Sequence, residues 1–121
     1  MSKRVLIVED EPNIIESLSF LLGREGLEVH AETDGAKAMA RLAEIQPELV
    51  ILDVMLPNRS GFDILRDIQA ADSPMPKVLM LTAKGQNRDR QMAEEIGVDL
   101  FMTKPFSNAE IVANIRVLLE K

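Results

Sequence analysis

The chain has 121 residues, carries a formal net charge of −6 and contains no cysteine. This length is typical of one domain, so we expect residues 1–121 to fold around a single core. The acidic balance opposes direct binding to a nucleic-acid backbone, and the lack of cysteine excludes disulfides and thiolate metal sites. No apolar run reaches the roughly 18 residues of a membrane span, so we expect a soluble, cytoplasmic protein.

In chain order, the first predicted element is a strand over residues 5–8, an uninterrupted apolar run typical of strands buried on both faces. A helix is predicted from Pro12, a residue favoured at the first helical position, and Gly26 suits its end. A weaker strand candidate covers residues 28–32, and a second helix is predicted before Pro47. The apolar stripes of the two helices are Ile14, Ile15, Leu18, Leu21 and Leu22, and then Ala38, Met39, Leu42 and Ile45.

The second half of the chain continues the alternation of strands and helices. Its predicted elements are strand 49–52, helix 62–68, strand 78–81, helix 87–96, strand 100–103 and helix 111–118, the last behind a Ser107–Glu110 capping box. The helix over 87–96 has the weakest apolar face, and the strands over 28–32 and 100–103 suit the sheet edges. Five strands alternating with helices through short connections predict an α/β domain, with helices on both faces of a parallel sheet.

Polar residues follow four of these strands, at the edge where an open parallel sheet binds its ligands. They are Glu9 and Asp10, Asp53, Thr82, and Thr103 with Lys104. Two carboxylates roughly 4 Å apart repel by about 4 kcal/mol at an effective dielectric near 20. Lys104 can offset part of this repulsion, and a hard divalent cation such as Mg²⁺ can offset the rest. Glycine-rich phosphate loops are missing from the sequence, which disfavours a nucleotide at the first helix.

Each of these residues also has a structural explanation. Glu9 and Asp10 can cap the first helix, Thr82 can cap a helix or end a strand, and Lys104 can be a solvated surface charge. Asp53 is harder to explain in this way, because an acid directly after a buried run needs a cation or hydrogen-bond donors. The arrival of all these groups at one edge favours a functional site.

These residues resemble those of a known family, the receiver domains of two-component response regulators, including the chemotaxis-type regulators. The matching pattern spans nearly the whole chain and consists of Glu9-Asp10, Asp53 with Pro57 and Gly61, Thr82-Ala83, and Lys104-Pro105-Phe106. The resemblance implies one receiver domain over residues 1–121. Its fold would be doubly wound and flavodoxin-like, with a five-stranded parallel sheet in the order 2-1-3-4-5.

The resemblance implies that Asp53 is a phosphoacceptor. A histidine-kinase phosphohistidine or a small phosphodonor would supply the phosphoryl group. Asp10, Asp53 and the backbone carbonyl of Met55 would ligate Mg²⁺, and Glu9 would do so directly or through water. The domain would not be a conventional enzyme, although it would promote its own phosphorylation and dephosphorylation.

The same resemblance assigns a switch to the remaining positions of the pattern. Lys104 would pair with Asp53 and then with phosphoryl oxygens, while the Thr82 hydroxyl and the backbone N–H near Ala83 would bind the remaining oxygens. Movement of Thr82 would leave a space for Phe101, although Phe101 can equally be an ordinary core residue. The resemblance also implies a cis peptide bond between Lys104 and Pro105.

Phosphorylation would change the surface of the fourth helix, fifth strand and fifth helix. The expected partners are a sensor histidine kinase or phosphotransfer protein, and a downstream effector or fused output domain. Many receivers carry two acids before the aromatic, but here Leu100 follows Asp99, which removes one candidate ion-pair partner from the usual dimer face. Arg116 could still meet Asp99 of a second copy, so a phosphorylation-dependent homodimer stays open.

Three other functions stay open at this point. A haloacid-dehalogenase-type phosphatase also uses an aspartyl nucleophile, but it needs an acid where this chain has Met55. A degenerate receiver would act only as a binding module, and a flavodoxin-like cofactor binder would lack Trp or Tyr to stack a flavin. Lys84 and Met55 would flank the path of the hydrolytic water and set the lifetime of the phosphorylated state.

Overall fold

The computed structural model describes residues 3–71, 75–83 and 87–120. Within these ranges, five strands and five helices alternate. The strands are β1 (Arg4–Val8), β2 (Glu28–Glu32), β3 (Leu49–Asp53), β4 (Lys77–Ala83) and β5 (Leu100–Lys104). The helices are α1 (Pro12–Arg24), α2 (Ala38–Ile45), α3 (Gly61–Ala70), α4 (Asn87–Ile96) and α5 (Asn108–Leu119), with a short 3₁₀ turn at Gly35–Lys37 before α2.

The strands form one parallel sheet in the order β2-β1-β3-β4-β5, which confirms the predicted architecture. The three continuous apolar runs become the central strands β1, β3 and β4, and the two weaker candidates form the edges. A strand covered on both faces cannot alternate polar and apolar residues, and this explains the unbroken apolar runs.

Side chains that alternate along the strands divide the core into two clusters. One cluster lies between the sheet and helices α2, α3 and α4, and it includes Leu6, Leu52 and Phe101. The other lies between the sheet and helices α1 and α5, and it includes Ile7 and Ile51. Within the described ranges, no helix has the length and apolar character needed to cross a membrane.

Four of the five strands extend beyond their predicted ranges: β1 begins at Arg4, β3 ends at Asp53, and β4 and β5 are also longer. β4 continues through Thr82 and Ala83, and β5 continues through Lys104, because Thr82 pairs with Thr103 and Ala83 pairs with Lys104 in the parallel ladder. Backbone hydrogen bonds thus carry polar residues to the end of the sheet. The Lys104–Pro105 peptide bond is cis, in the form that the resemblance implies.

The predicted helix signals hold where the structure describes them. α1 begins at Pro12, and Gly26 follows its end with a φ of 81°. Ser107 caps α5 by accepting a hydrogen bond from the backbone N–H of Glu110 at 3.0 Å. In α4, only Ala93 is buried, in agreement with the weak apolar face in its sequence.

Candidate functional site

The ends of β1 and β3 bring three carboxylates together. The two strands are neighbours in parallel register, with Val8 opposite Leu52, so Glu9 and Asp10 emerge beside Asp53. One carboxylate oxygen from each of the three residues lies within 4.8 Å of the others. Glu9 and Asp53 are buried, whereas Asp10 is exposed. This acidic cluster lies at the edge where the sequence predicts it.

Glu9 combines a structural contact with an open ligand position. Its Oε2 accepts hydrogen bonds from the backbone N–H groups of Asp10 at 3.0 Å and Glu11 at 3.1 Å, so it also orders the start of α1. Its buried Oε1 forms an ion pair with the Lys104 ammonium at 2.9 Å, but no group in the described chain donates a well-directed hydrogen bond to it. A buried carboxylate oxygen in this state suits a metal ion, and the oxygen-only donor set suits a hard divalent cation.

Lys104 lies among three carboxylates rather than beside one. Its Nζ is 2.9 Å from Glu9, 3.1 Å from Glu11 and 3.3 Å from Asp53. The contact with Asp53 has the geometry that the resemblance implies, whereas the contact with Glu11 is absent from the sequence analysis. Only 16% of the Lys104 side chain is exposed, so its ammonium acts within the cluster and not as a solvated surface charge.

Burial perturbs the titration of this cluster. Removal from water raises the pKa of Glu9 to about 7, against the opposing contact with the Lys104 ammonium and with added repulsion from Asp53. Burial also raises the pKa of Asp53, although the Lys104 charge opposes this shift. Burial disfavours the charge of Lys104, but the surrounding carboxylates outweigh burial and raise its pKa. The folded protein therefore holds a carboxylate pair that a second cation would stabilise.

We expect the stability of the metal-free protein to fall as the pH rises through about 7. Folded Glu9 has a pKa near 7 against 4.5 for the free side chain, so in this window the folded state binds more protons than the unfolded state. Glu9 makes its full contribution to the unfolding free energy below about pH 4.5. Its loss at higher pH lowers that free energy by about 3 kcal/mol. Urea unfolding at several pH values with and without Mg²⁺ measures the effect, and added Mg²⁺ should reduce the loss.

Glu9→Gln serves as the control, because it removes the titration of Glu9 and should reduce the pH dependence of stability in metal-free buffer. A metal-free protein that becomes more stable between about pH 5 and about pH 7.5 would contradict the shift.

Thr82 and Phe101 lie on the strands next to the cluster. Thr82 is buried in β4, and its hydroxyl donates a hydrogen bond to Asp89 Oδ2 in the first turn of α4 at 2.8 Å. Phe101 is buried in the core, and the guanidinium of Arg90 lies 5.3 Å from its ring centroid. Ala83 is exposed at the end of β4. The sequence predicts the place of Thr82 but not its contact with Asp89.

The loop between β3 and α3 is held close to Asp53. The Gly61 N–H donates to the Val54 carbonyl at 2.9 Å, and a Cβ on Gly61 would lie 2.1 Å from the Asp53 carbonyl oxygen. Gly35 also donates its N–H to the Pro57 carbonyl of this loop at 3.1 Å. The Met55 side chain is 76% exposed, so only the backbone of Met55 is available to the site.

Two other predicted residues, Arg116 and Asp99, lie away from the acidic cluster, and a third, Lys84, lies outside the residues that the structure describes. Arg116 pairs with Glu25 through contacts of 2.6 and 2.9 Å, and Asp99 accepts a hydrogen bond from the Val78 N–H at 2.8 Å. Both charges therefore have partners within the chain. Lys84 lies outside the described residues, so its role in the phosphoryl lifetime stays a prediction.

Comparison with known proteins identifies related sequences. Residues 5–116 match the family model described as the response regulator receiver domain. The chain is 36% identical over 121 residues to the alkaline phosphatase synthesis transcriptional regulatory protein PhoP of Bacillus subtilis strain 168. That alignment covers 100% of this chain but 50% of PhoP, so the chain spans about half the length of this relative.

Solved structures with the same fold include two receiver domains. The BeF3-activated N-terminal receiver domain of Klebsiella pneumoniae RstA superposes with a TM-score of 0.89 at 27% identity, covering 98% of this chain and 100% of that one. A CheY-like response regulator receiver domain protein from Methanospirillum hungatei JF-1 superposes with a TM-score of 0.91 at 25% identity, covering 99% and 95% of the two chains.

Proposed function

Because the chain belongs to the response regulator receiver domain family, we propose that it is a signalling switch in which Asp53 accepts a phosphoryl group. The observation that carries this proposal is the position of Asp53, whose buried carboxylate ends β3 within the acidic cluster and lies 3.3 Å from the Lys104 ammonium. An Asp53 oxygen would attack phosphorus as the bond from phosphorus to the donor breaks. The products are an aspartyl phosphate and the free histidine or small-molecule leaving group.

The acidic cluster can bind a metal ion, and we propose that the ion is Mg²⁺. Asp10, Asp53 and the Met55 backbone carbonyl would hold it, with Glu9 binding directly or through water. When bound, it supplies positive charge that offsets the cluster and the phosphoryl oxygens. Asp10 is the exposed member of the cluster, and it leaves the site open to a phosphodonor from solvent.

Three further groups would bind the phosphoryl oxygens. Lys104 already lies within 3.3 Å of Asp53 Oδ1 and would follow the charge onto the phosphoryl group. The Thr82 hydroxyl and the backbone N–H near Ala83 would complete the set at the end of β4. Phosphoryl transfer depends mainly on positioning and charge stabilisation, which these groups can supply. Phe101 would then respond to the movement of Thr82.

The proposed partners follow from the family. A sensor histidine kinase or phosphotransfer protein would donate the phosphoryl group in the cytoplasm, and an effector protein or fused output domain would read the surface of α4, β5 and α5. The relative PhoP is described as a transcriptional regulatory protein, and any binding to nucleic acid would lie outside the receiver domain. A phosphorylation-dependent homodimer would have to replace the contacts that Arg116 and Asp99 make within the chain.

Two competing functions make different predictions about the same site. A haloacid-dehalogenase-type phosphatase would need an acid two residues after Asp53, where Met55 stands. A binding module without phosphorylation would not need the Lys104 ammonium within 3.3 Å of Asp53. The geometry therefore favours a phosphoacceptor.

Incubation with acetyl phosphate and Mg²⁺, followed by intact mass measurement, tests the proposal. Wild type should gain one phosphoryl group, and Asp53→Asn or chelation of the metal should abolish the gain. Because burial raises the pKa of Asp53, the neutral variant should keep its stability, so loss of uptake would not reflect unfolding.

Asp63→Asn is the matched control, since Asp63 is half-exposed on α3 and pairs with Arg66 rather than with the cluster. This variant should take up the phosphoryl group like wild type. Equal uptake by Asp53→Asn would place the acceptor elsewhere.

A further inference from the structure

Asp89 holds the hydroxyl that the proposed function assigns to the phosphoryl group. Thr82 is buried at the end of β4, and its hydroxyl donates to Asp89 Oδ2 at 2.8 Å. A threonine hydroxyl has one hydrogen to donate. It therefore cannot donate to Asp89 and to a phosphoryl oxygen at the same time, and one acceptor must displace the other.

The next residue of α4 covers the second predicted switch position. Arg90 places its guanidinium 5.3 Å from the centroid of the buried Phe101 ring, at a distance typical of a cation–π contact. Consecutive residues in the first turn of α4 thus contact both Thr82 and Phe101. Few residues anchor this helix through apolar packing, because only Ala93 is buried, Ile96 is partly buried against the core and Met92 is exposed. These polar contacts therefore add to the packing that keeps α4 in this position.

We infer that Asp89 is an inhibitory positioning residue, which competes with the phosphoryl group for the Thr82 hydroxyl and thereby couples the phosphorylation site to α4. The inference rests on the proposed function, because it requires Thr82 to contact a phosphoryl oxygen. In the unphosphorylated protein Thr82 is bonded to α4. After phosphorylation, Asp89 loses its donor, and the first turn of α4 loses one of its attachments to the sheet.

The coupling must act in both directions. If phosphorylation weakens the contact between Thr82 and Asp89, then loss of that contact strengthens binding of the phosphoryl group by the same factor. A hydrogen bond to a charged group is among the stronger ones in proteins, so the factor should be measurable. The direction of the change in affinity is specific to an inhibitory residue. Removal of Asp89 should improve binding of the phosphoryl group, although Asp89 makes no contact with that group.

A double-mutant cycle with beryllofluoride, a stable mimic of the phosphoryl group, tests the inference. Its affinity in the presence of Mg²⁺ is measured by calorimetry for wild type, Asp89→Ala, Thr82→Ala and the double variant. Asp89→Ala should bind about tenfold more tightly than wild type. In the Thr82→Ala background, the same change should alter affinity by less than about twofold, because no hydroxyl is left to release.

Two further variants separate the hydrogen bond from charge and folding. Asp89→Asn keeps an acceptor oxygen without its charge and should bind with intermediate affinity. Glu95→Ala removes an exposed acid from the same helix and should bind like wild type. Hydrogen exchange gives a second measurement: beryllofluoride should speed exchange of the α4 amides in wild type, and Asp89→Ala should show this faster exchange without it.

The outcomes distinguish the inference from the function on which it rests. Wild type that fails to bind beryllofluoride refutes the proposed function and the inference together. Wild type that binds, with no gain in Asp89→Ala or with an equal gain in the Thr82→Ala background, refutes the inference alone. A gain in Glu95→Ala equal to that in Asp89→Ala would show a general charge effect and would also refute it.

Discussion

Replacement of Gly61 by alanine is expected to destabilise the domain by about 3 kcal/mol and to reduce phosphoryl uptake. The new Cβ would lie 2.1 Å from the carbonyl oxygen of Asp53 and 2.9 Å from the Cα of Val54. Both are backbone atoms, so no side chain can rotate away to relieve the overlap. The end of β3 or the start of α3 must move, and Asp53 moves with it. Chemical denaturation and acetyl phosphate labelling measure the two effects.

Gly23→Ala is the matched control for this prediction. Gly23 lies on the exposed side of α1, and a Cβ there meets nothing within 4 Å. This change should raise the unfolding free energy by about 0.5 to 1 kcal/mol, because alanine favours the helix over glycine. The account of the tight turn at Gly61 is wrong if both variants show the same small change in stability.

Replacement of Lys104 by methionine is expected to lower stability by about 3 kcal/mol near pH 8. Methionine keeps much of the apolar stem but leaves the Glu9 and Asp53 carboxylates without their cation. Near pH 5 the loss should be smaller, because the carboxylates can take up protons as their charge becomes more costly. The rate of phosphoryl uptake should also fall by about 100-fold, since a group that stabilises the transferred charge is missing.

Lys37→Met provides the comparison, because Lys37 is exposed and lies in the short turn before α2. Its stability should stay within about 0.5 kcal/mol of wild type at both pH values. If Lys104→Met loses the same stability at low and high pH, the effect comes from packing of the lysine stem and not from its charge.

The edge of the sheet that carries the site is predictable from the sequence. Glu9 and Asp53 each follow an unbroken apolar run, and parallel strands buried on both faces place their carboxyl ends at one edge. An unbroken apolar run is accommodated mainly in a central strand of a sheet that is covered on both faces. The meeting of the acidic cluster therefore follows from strand type and chain direction alone.

The contacts of Glu11 and Asp89 are not predictable in the same way. Glu11 reaches Lys104 across 93 positions of sequence, and such a contact depends on the turn that follows β1. Asp89 stands in the first turn of a helix, where an acid is already explained by the helix dipole. Because the helix dipole already accounts for an acid at this position, the sequence gives no sign that Asp89 also contacts Thr82.

The role of Gly61 lies between these two cases. The glycine belongs to the motif that carries the family resemblance, but the reason for it is the approach of two backbone segments. Gly35 shows the same feature without any motif, since a Cβ there would lie 2.2 Å from the Arg59 carbonyl oxygen. Distances of this kind exist only once the loop after β3 is packed.

We expect that one buried carboxylate, supported by a cation-binding cluster, becomes a mixed anhydride with phosphate. Borohydride reduction of the protein after treatment with acetyl phosphate and Mg²⁺ tests it most directly, because an aspartyl phosphate is reduced to homoserine at the modified position. Peptide mass spectrometry should find homoserine at position 53, and only in the sample that contained the metal. Homoserine at another aspartate, or at position 53 in equal amount after chelation, would contradict the account.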